Sequence, residues 1–176
     1  GAGPRDDFVP ADFADLTAHP NAEPTVSDGI FHSCGVTFDG TGTCWGINTG
    51  GDADVPKGRV WSSISAGRNR SCGVTLSGEG LCWGMIPLDE DQVPAGKTWV
   101  SINAAPTAAK VCGVTTGGEG YCWGHDLGSK GAPPAGRKWR TITPSGNAKD
   151  DVACGVTTTG EGVCWGSSST LANIPT

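Results

Sequence analysis

Residues 72–84 read CGVTLSGEGLCWG, and this stretch recurs three more times in the 176-residue chain. The other copies are CGVTFDGTGTCWG at 34–46, CGVTTGGEGYCWG at 112–124 and CGVTTTGEGVCWG at 154–166. The first cysteines of successive copies are 38, 40 and 42 residues apart. A period of this length decides the fold, because each unit must bury its apolar residues against its neighbours.

Each copy predicts a β-hairpin. Its Cys-Gly-Val-Thr and Cys-Trp-Gly runs carry β-branched and aromatic residues, and a glycine-rich turn separates them. A Trp-x-x-Ile run precedes three of the copies, at Trp61, Trp99 and Trp139, and a Val-Pro or similar pair follows each copy. We expect these two flanking segments to add short outer strands, with proline at the outermost edge because it cannot donate to a ladder.

The spacing predicts an all-β fold, a propeller-type array of four blades of about 40 residues and four strands each. We assign this propeller-like domain to residues 23–176. Residues 1–22 are then an N-terminal extension. Because Val9-Pro10 resembles the Val-Pro pairs of the blades, we expect it to supply an extra edge strand.

The eight cysteines predict a disulfide within each hairpin. In every copy the two cysteines are ten residues apart, so they lie opposite each other across the turn, close enough for a bridge. Free thiols or bridges between blades are the alternatives, and zinc is not favoured because no Cys-x2–4-Cys pair exists. Disulfides indicate an oxidising, extracellular compartment. The predicted bridges are Cys34–Cys44, Cys72–Cys82, Cys112–Cys122 and Cys154–Cys164.

Alternation along the hairpin gives the sheet two different apolar faces. Cys34 and Val36 point to one face, and Trp45 lies over Gly35 on the other. A sheet that is apolar on both faces must be covered on both, and blades packed face to face do this. We therefore expect all seven tryptophans to be core residues, and not platforms on which a glycan stacks.

Charge and residue pattern exclude several kinds of function. The net charge of −6 and the pI near 4.9 argue against a nucleic-acid surface. No stretch approaches 18 apolar residues, so no membrane span is predicted. No cofactor or metal is expected. No Ser-His-Asp or Cys-His arrangement follows from the repeat, and we expect His32 at the surface. The acidic residues around Asp52 and at 89–91 lack an EF-hand spacing, so they are expected to be solvated loops.

The repeat resembles the regulator of chromosome condensation (RCC1-like) superfamily. The resemblance is greatest to its extracellular, cysteine-bearing members, the crinkly-type receptor kinase ectodomains of plants and the β-lactamase inhibitor protein II of bacteria. The shared pattern is a strand ending in Ile-x-Ala-Gly (64–67 here), a Cys-Gly-Val strand, a turn, Trp-Gly and then Val-Pro. Those relatives look like seven-bladed propellers. We therefore expect these four blades to form a compact ring, to pair as a homodimer or to be part of a larger propeller.

The segments before each first cysteine differ in length and chemistry, and in repeat proteins such insertions collect on one face, often the binding face. Neutral drift in tolerant loops is the alternative. Asn69-Arg70-Ser71 also has the form of a glycosylation sequon, whose occupancy the sequence leaves open. The predicted partner-binding residues are Phe31, His32, Arg68, Asn69, Arg70, Lys110, Asn147, Lys149, Asp150 and Asp151.

The sequence thus predicts a non-catalytic secreted or cell-surface recognition module that binds a protein or glycan through these loops. The alternative, implied by the resemblance to β-lactamase inhibitor protein II, is a protein inhibitor whose loops plug the active site of a hydrolase. An enzyme that uses the loop face is a third interpretation. The disulfides disfavour the nuclear exchange-factor role of the superfamily's founding member.

Overall fold

Four small antiparallel sheets make up the fold. The computed structural model describes residues 24–85, 92–107, 109–124, 131–145 and 152–166. Each sheet has three strands in chain order, and the all-β array of four hairpin blades is confirmed. The first sheet comprises β1 Thr25–Asp28, β2 His32–Val36 and β3 Gly42–Gly46; the second β4 Trp61–Ala66, β5 Arg70–Thr75 and β6 Gly80–Gly84; the third β7 Trp99–Ala104, β8 Lys110–Thr115 and β9 Gly120–Gly124; the fourth β10 Trp139–Ser145, β11 Val152–Thr157 and β12 Gly162–Gly166.

All four predicted disulfides are present. In each hairpin the two cysteines are register partners with Cα atoms 4.0 Å apart, as the ten-residue offset requires. Each bridge closes a small loop inside one sheet. On the loop-entropy argument each contributes about 2–3 kcal/mol to the free energy of unfolding.

The first strand of each sheet, which carries Trp-x-x-Ile in three of the four, lies at the inner edge, so its prediction as an outer strand is wrong. The first strands of successive sheets, β1, β4, β7 and β10, contact one another. Side chains on these strands form hydrogen bonds from sheet to sheet, because this is where the blades converge. The bonds run from the Ala66 N–H to Ser27 Oγ (3.1 Å), from the Ala104 N–H to Ser65 Oγ (3.1 Å) and from Asn103 Nδ2 to the Ile142 carbonyl (2.7 Å).

The interface between two sheets is filled by the two predicted kinds of face. Between the second and third sheets, Cys72 and Val74 pack against Trp99, Ile102 and Trp123, all buried. The interfaces on either side repeat this arrangement. The core is therefore a series of thin layers, each made by the disulfide face of one sheet and the tryptophan face of the next.

A glycine in the third strand sets how closely the layers approach. A Cβ on Gly80 would lie 2.5 Å from Cδ1 of Ile102 and 2.7 Å from Cδ1 of Trp99. Gly42 and Gly120 face the same isoleucine–tryptophan pair of the sheet that follows them. Glycine is needed here because the next sheet occupies the space of any side chain.

Six of the seven tryptophans are buried as predicted, but Trp45 is 49% exposed. In the second sheet Trp61 lies over Gly73, 2.8 Å from a Cβ placed there, and Trp83 packs on Trp61 with ring centroids 5.3 Å apart. The third and fourth sheets repeat this tryptophan pair. The first sheet has Glu23 where the others carry the inner-strand tryptophan. Trp45 therefore lies over the strand glycine itself, without a ring to pack on.

The predicted fourth strand does not form at the Val-Pro segments that the structure describes. Val55-Pro56, Val93-Pro94 and Pro133-Pro134 are in irregular backbone. A glycine with positive φ follows each pair two residues later, and it turns the chain away from a fourth ladder. The segments still cover the core, since Val55 and Val93 pack against the clusters of the first and second interfaces. Val9-Pro10 and Ile174-Pro175 lie outside the described residues.

Contacts run from each sheet to the next, and the described residues do not form the expected compact four-blade ring. Val156 and Gly162 of the fourth sheet, and Val26 and Trp45 of the first, remain exposed. Within the described residues, the array is therefore open at both ends. No helix among the described residues is long and apolar enough to cross a membrane.

Candidate functional site

The connections between the first and second strands lie along one edge of the array, which we call the loop rim. Those that the structure describes comprise residues 29–31, residues 67–69 and, apart from residue 108, residues 105–109; the connection at 146–151 lies outside the described residues. The third strands end at the same edge because the sheets are antiparallel. The described connections of the first three sheets therefore share one edge, and binding of a partner there stays a prediction.

Four exposed apolar side chains occupy the loop rim at the first two sheets. Ile30, Phe31, Ile47 and Met85 are between 43% and 57% exposed, and we call them the apolar rim cluster. The Ile47 N–H donates to the Phe31 carbonyl at 2.8 Å, and Met85 lies beside Gly50, where an added Cβ would be 3.1 Å from the Met85 Cβ. Sequence analysis selected only Phe31. The missed signal is the apolar residue that follows Trp-Gly in the first two repeats.

Two further predicted residues lie at the rim surface next to this cluster. Arg68 is exposed and Asn69 is half-buried. The Asn69 carbonyl accepts the Met85 N–H at 2.8 Å, which fixes the loop against the following segment. The surface therefore combines apolar side chains with one exposed guanidinium. Glycosylation of Asn69 stays a prediction.

His32, Arg70 and Lys110 are buried, which corrects their assignment to the exposed loops. Each stands two residues before the first cysteine of its hairpin and begins the middle strand. Alternation therefore points it to the same face as the disulfide, which the next sheet covers. The signal was present in the sequence, since the alternation that places Val36 with Cys34 also places His32 there.

His32 belongs to a buried polar network between the first two sheets, although we expected neither a Ser-His-Asp cluster nor a buried Asp52. Its Nε2 lies 2.8 Å from Ser71 Oγ, and its Nδ1 lies 3.2 Å from an Asp52 carboxylate oxygen. The Ser71 hydroxyl donates to the Asp52 carbonyl at 2.7 Å, so Nε2 carries the proton that Ser71 accepts. Ser71 is fully buried. The network therefore fastens two sheets together and offers no exposed nucleophile.

Lys110 fastens a later interface in a related way. Its Nζ donates to the Val152 carbonyl of the fourth sheet at 3.4 Å, and Val152 occupies the position of Lys110 in that sheet. The position two residues before the cysteine thus contributes to contacts between blades. A partner at the loop rim would contact the loop residues that precede this position and not the buried side chain at the position itself.

The remaining predicted contact residues, Asn147, Lys149, Asp150 and Asp151, lie outside the described residues. So do the acidic residues 89–91. Among the residues that the structure does describe, no group of three or more histidine, cysteine, aspartate or glutamate side chains is placed to hold a metal ion.

The opposite edge, formed by the turns between second and third strands, carries paired charges. Arg137 and Glu161 form an ion pair at 2.5 Å, and Arg59 pairs with Glu79 in the equivalent place. Hydrogen bonds from Thr37 and from the backbone and side chain of Thr41 hold the pKa of Asp39 below its ordinary value. Val60 and Leu76 are exposed apolar residues at this edge.

Lys97 takes the place of these arginines in the third sheet. Its Nζ lies 4.3 Å from the centre of the Tyr121 ring, and the Tyr121 hydroxyl donates to Glu119 at 3.1 Å. The interaction with Tyr121 raises the pKa of Lys97. Each of these three turns therefore already supplies a partner for its cation.

Solved structures similar to this chain include two plant receptor ectodomains. The CRINKLY WD40 ectodomain of the Arabidopsis thaliana receptor kinase ACR4 is 25% identical with a TM-score of 0.66, covering 80% of this chain and 49% of that one. The entire ectodomain of the Physcomitrella patens receptor kinase CR4 is 30% identical with a TM-score of 0.66, covering 84% and 40%. The chain thus spans half or less of each ectodomain.

Yeast RCC1 (Prp20), solved bound to Kap60, shares the fold at 13% identity, with a TM-score of 0.61 and coverage of 81% of this chain and 43% of that one. No family profile and no curated protein matches the chain. The hairpin repeats, the face-to-face packing and these similarities agree. The chain therefore has the RCC1-like repeat fold, and it resembles the extracellular, crinkly-type form of it.

Proposed function

We propose that the chain is an extracellular recognition module that binds a protein partner through the loop rim. The observation that carries this proposal is the apolar rim cluster, four apolar side chains about half exposed on the same edge of the first two sheets, where Arg68 is also exposed. Exposed apolar groups are costly to leave in water when they are contiguous, and such patches mark interaction sites. Aromatic residues, methionine and arginine are also enriched at protein interfaces.

A protein partner suits this surface better than a glycan does. Three of the four cluster residues are aliphatic or thioether side chains, namely Ile30, Ile47 and Met85. Sugars are held by aromatic stacking together with polar groups, whereas aliphatic groups are complementary to apolar patches on another protein. The single exposed tryptophan, Trp45, lies on the open face of the first sheet and not on the rim.

The extracellular part of the proposal rests on chemistry and on similarity. Structural disulfides are typical of an oxidising compartment, and two similar solved structures are ectodomains of receptor kinases. Binding is therefore proposed to take place outside the cell or at its surface.

An array of purified secreted and cell-surface proteins, probed with the fluorescent chain, tests the proposal. The test variant carries Phe31→Ser and Met85→Ser at the rim, and the matched control carries Val60→Ser and Leu76→Ser at the opposite edge. For any protein that binds, we expect the rim variant to weaken affinity at least about tenfold, equivalent to about 1.4 kcal/mol. The control should leave the affinity unchanged, because it removes similar exposed apolar surface elsewhere.

Three outcomes would contradict the proposal. One is equal affinity of the rim variant and the parent chain. Another is binding to a glycan array only, which would move the ligand to carbohydrate. The third is dose-dependent loss of β-lactamase activity on adding the chain, which would establish the inhibitor alternative.

A further inference from the structure

The two ends of the array expose faces of opposite kind. At each interface inside the molecule, a disulfide–valine face of one sheet meets the tryptophan–isoleucine face of the next. Because the four sheets are stacked in one direction, the described residues leave the tryptophan face of the first sheet and the disulfide face of the fourth sheet uncovered. The internal interfaces therefore show which kind of face is complementary to each end of the array.

The tryptophan face of the first sheet is exposed where the equivalent faces of the other sheets are buried. Trp45 is 49% exposed, whereas the equivalent Trp83, Trp123 and Trp165 are 8–9% exposed beneath the preceding sheet. Val26, at the position of the buried Ile64, is 69% exposed. Covering this face with a disulfide face would bring both residues to the burial that the repeat gives them elsewhere.

The disulfide face of the fourth sheet is likewise exposed where the equivalent faces of the other sheets are buried. Val156 is 37% exposed, while the equivalent Val74 and Val114 are 1% exposed. A Cβ on Gly162 would meet no atom within 4 Å, although the equivalent position Gly120 is closed by the isoleucine and tryptophan of the next sheet. The space that the isoleucine and tryptophan of a following sheet would occupy is therefore present above Gly162.

A hydrogen-bonding group for the same junction is also present. Ser27 and Ser65 accept the backbone N–H of Ala66 and Ala104 in the sheets that follow them. Thr143 occupies this position in the fourth sheet and is exposed. The N–H that corresponds to that of Ala66 belongs, in a following first sheet, to Asp28.

We infer that the occupant of each end is a second copy of this chain, with the first sheet of one copy docked on the fourth sheet of the other. A twofold axis makes both junctions at once, because the first-to-fourth contact of one copy is repeated by the other. The product is a closed ring of eight sheets with no exposed end face. The aligned four-fifths of one copy covers 49% of the CRINKLY WD40 ectodomain, so one copy corresponds to about half of such a propeller.

The molar mass in solution tests this inference on the full chain. Light scattering after size exclusion, across micromolar concentrations, should give twice the 17.8 kDa of one chain. Trp45→Asp in the first sheet and Gly162→Phe in the fourth should each give 17.8 kDa, since each change spoils both junctions of the pair. Val100→Asp, which alters an equally exposed apolar residue away from the ends, and Thr158→Phe are the controls and should leave the pair intact.

Mixing the two end variants distinguishes this arrangement from other dimers. The Trp45→Asp chain keeps a normal fourth sheet and the Gly162→Phe chain keeps a normal first sheet, so together they can form one junction. We expect the mixture, and neither variant alone, to show a concentration-dependent rise in mass. Near-ultraviolet circular dichroism checks that each variant is folded, and Val26→Asp replaces Trp45→Asp if that variant is not.

Each contrary result would overturn the inference. A monomeric parent chain would mean that the end faces are covered by other parts of a chain or by another protein. A dimer that both end variants leave intact would place the interface elsewhere. Masses that grow beyond two copies would show open head-to-tail assembly and not a closed ring.

Discussion

The first and second sheets carry the same thirteen-residue motif but use its tryptophan differently. In the second sheet Trp83 packs on Trp61 and is buried, whereas in the first sheet Trp45 lies over Gly35 and is half exposed. The local sequence around the two residues is nearly the same. The burial of a repeated residue is therefore decided by its neighbours, here an inner-strand tryptophan and a preceding sheet, and not by the motif.

Alanine substitution of the two tryptophans should give the largest contrast. Trp83→Ala removes a ring held between Trp61 and the disulfide face of the first sheet, so we expect it to lower the free energy of unfolding by about 3–5 kcal/mol. Trp45→Ala should cost less than about 1 kcal/mol when the chain is dilute. Urea denaturation at low protein concentration measures both values. Equal losses would show that the first sheet is covered like the second.

The strand glycines sharpen the comparison between covered and open faces. In Gly120→Ala the new Cβ would lie 2.5 Å from Ile142 and 2.8 Å from Trp139, and we expect a loss of about 2–3 kcal/mol from overpacking. Gly162→Ala adds the same methyl group where nothing lies within 4 Å, so its effect should be close to zero. Thermal unfolding of the two variants side by side gives the difference. A large loss at Gly162 would contradict an open fourth face.

The serine before the cysteine tests the polar network of the first interface. Ser71→Ala leaves His32 Nε2 and the Asp52 carbonyl without a buried partner, and we expect a loss of about 1–2 kcal/mol. Ser33 is its equivalent in the first sheet, where its hydroxyl donates to exposed Asp28 at 2.7 Å. Ser33→Ala should cost about 0.5 kcal/mol or less. Similar losses in denaturant titrations would argue that the network adds nothing beyond a surface hydrogen bond.

The smallest effect concerns pH and the hairpin turns. Because its hydrogen bonds lower the pKa of Asp39, its carboxylate stabilises the fold above its ordinary pKa, and the contribution is lost as pH falls through the lowered pKa. We expect Asp39→Ala to lose less than about 1 kcal/mol at neutral pH, because the group is exposed, and nothing once the carboxyl is protonated. Ser77→Ala, in the equivalent turn of the second sheet, should show no such pH dependence over the acidic range.

The hairpins were predictable because their determinants lie within thirteen residues. The offset of ten between Cys72 and Cys82 sets the register, and alternation sets the faces. The same alternation places Arg70 on the buried disulfide face. We assigned it to an exposed loop because the segment before the first cysteine varies between repeats. A charged residue is rarely expected in a core, and only the packing of the next sheet makes the position internal.

The other differences depend on contacts far apart in sequence. The inner position of the Trp61 strand follows from the convergence of neighbouring sheets, which no single repeat encodes. The Ser71–His32–Asp52 network joins residues up to 39 positions apart, across two repeats that differ at these sites. Comparing repeats aligns equivalent positions, but it does not show which non-equivalent positions of two repeats contact each other.

The disulfides also fix how the molecule would respond to tension. Every bridge lies within one hairpin, so no covalent link other than the backbone joins one sheet to the next. Pulled from its ends, the chain could yield one sheet at a time. Each step would release about 30 residues, or roughly 100 Å of extended chain, while the bridged loop stays shut. Reduction would lengthen each step by about 35 Å, so the oxidation state of the cysteines limits how far each sheet can stretch.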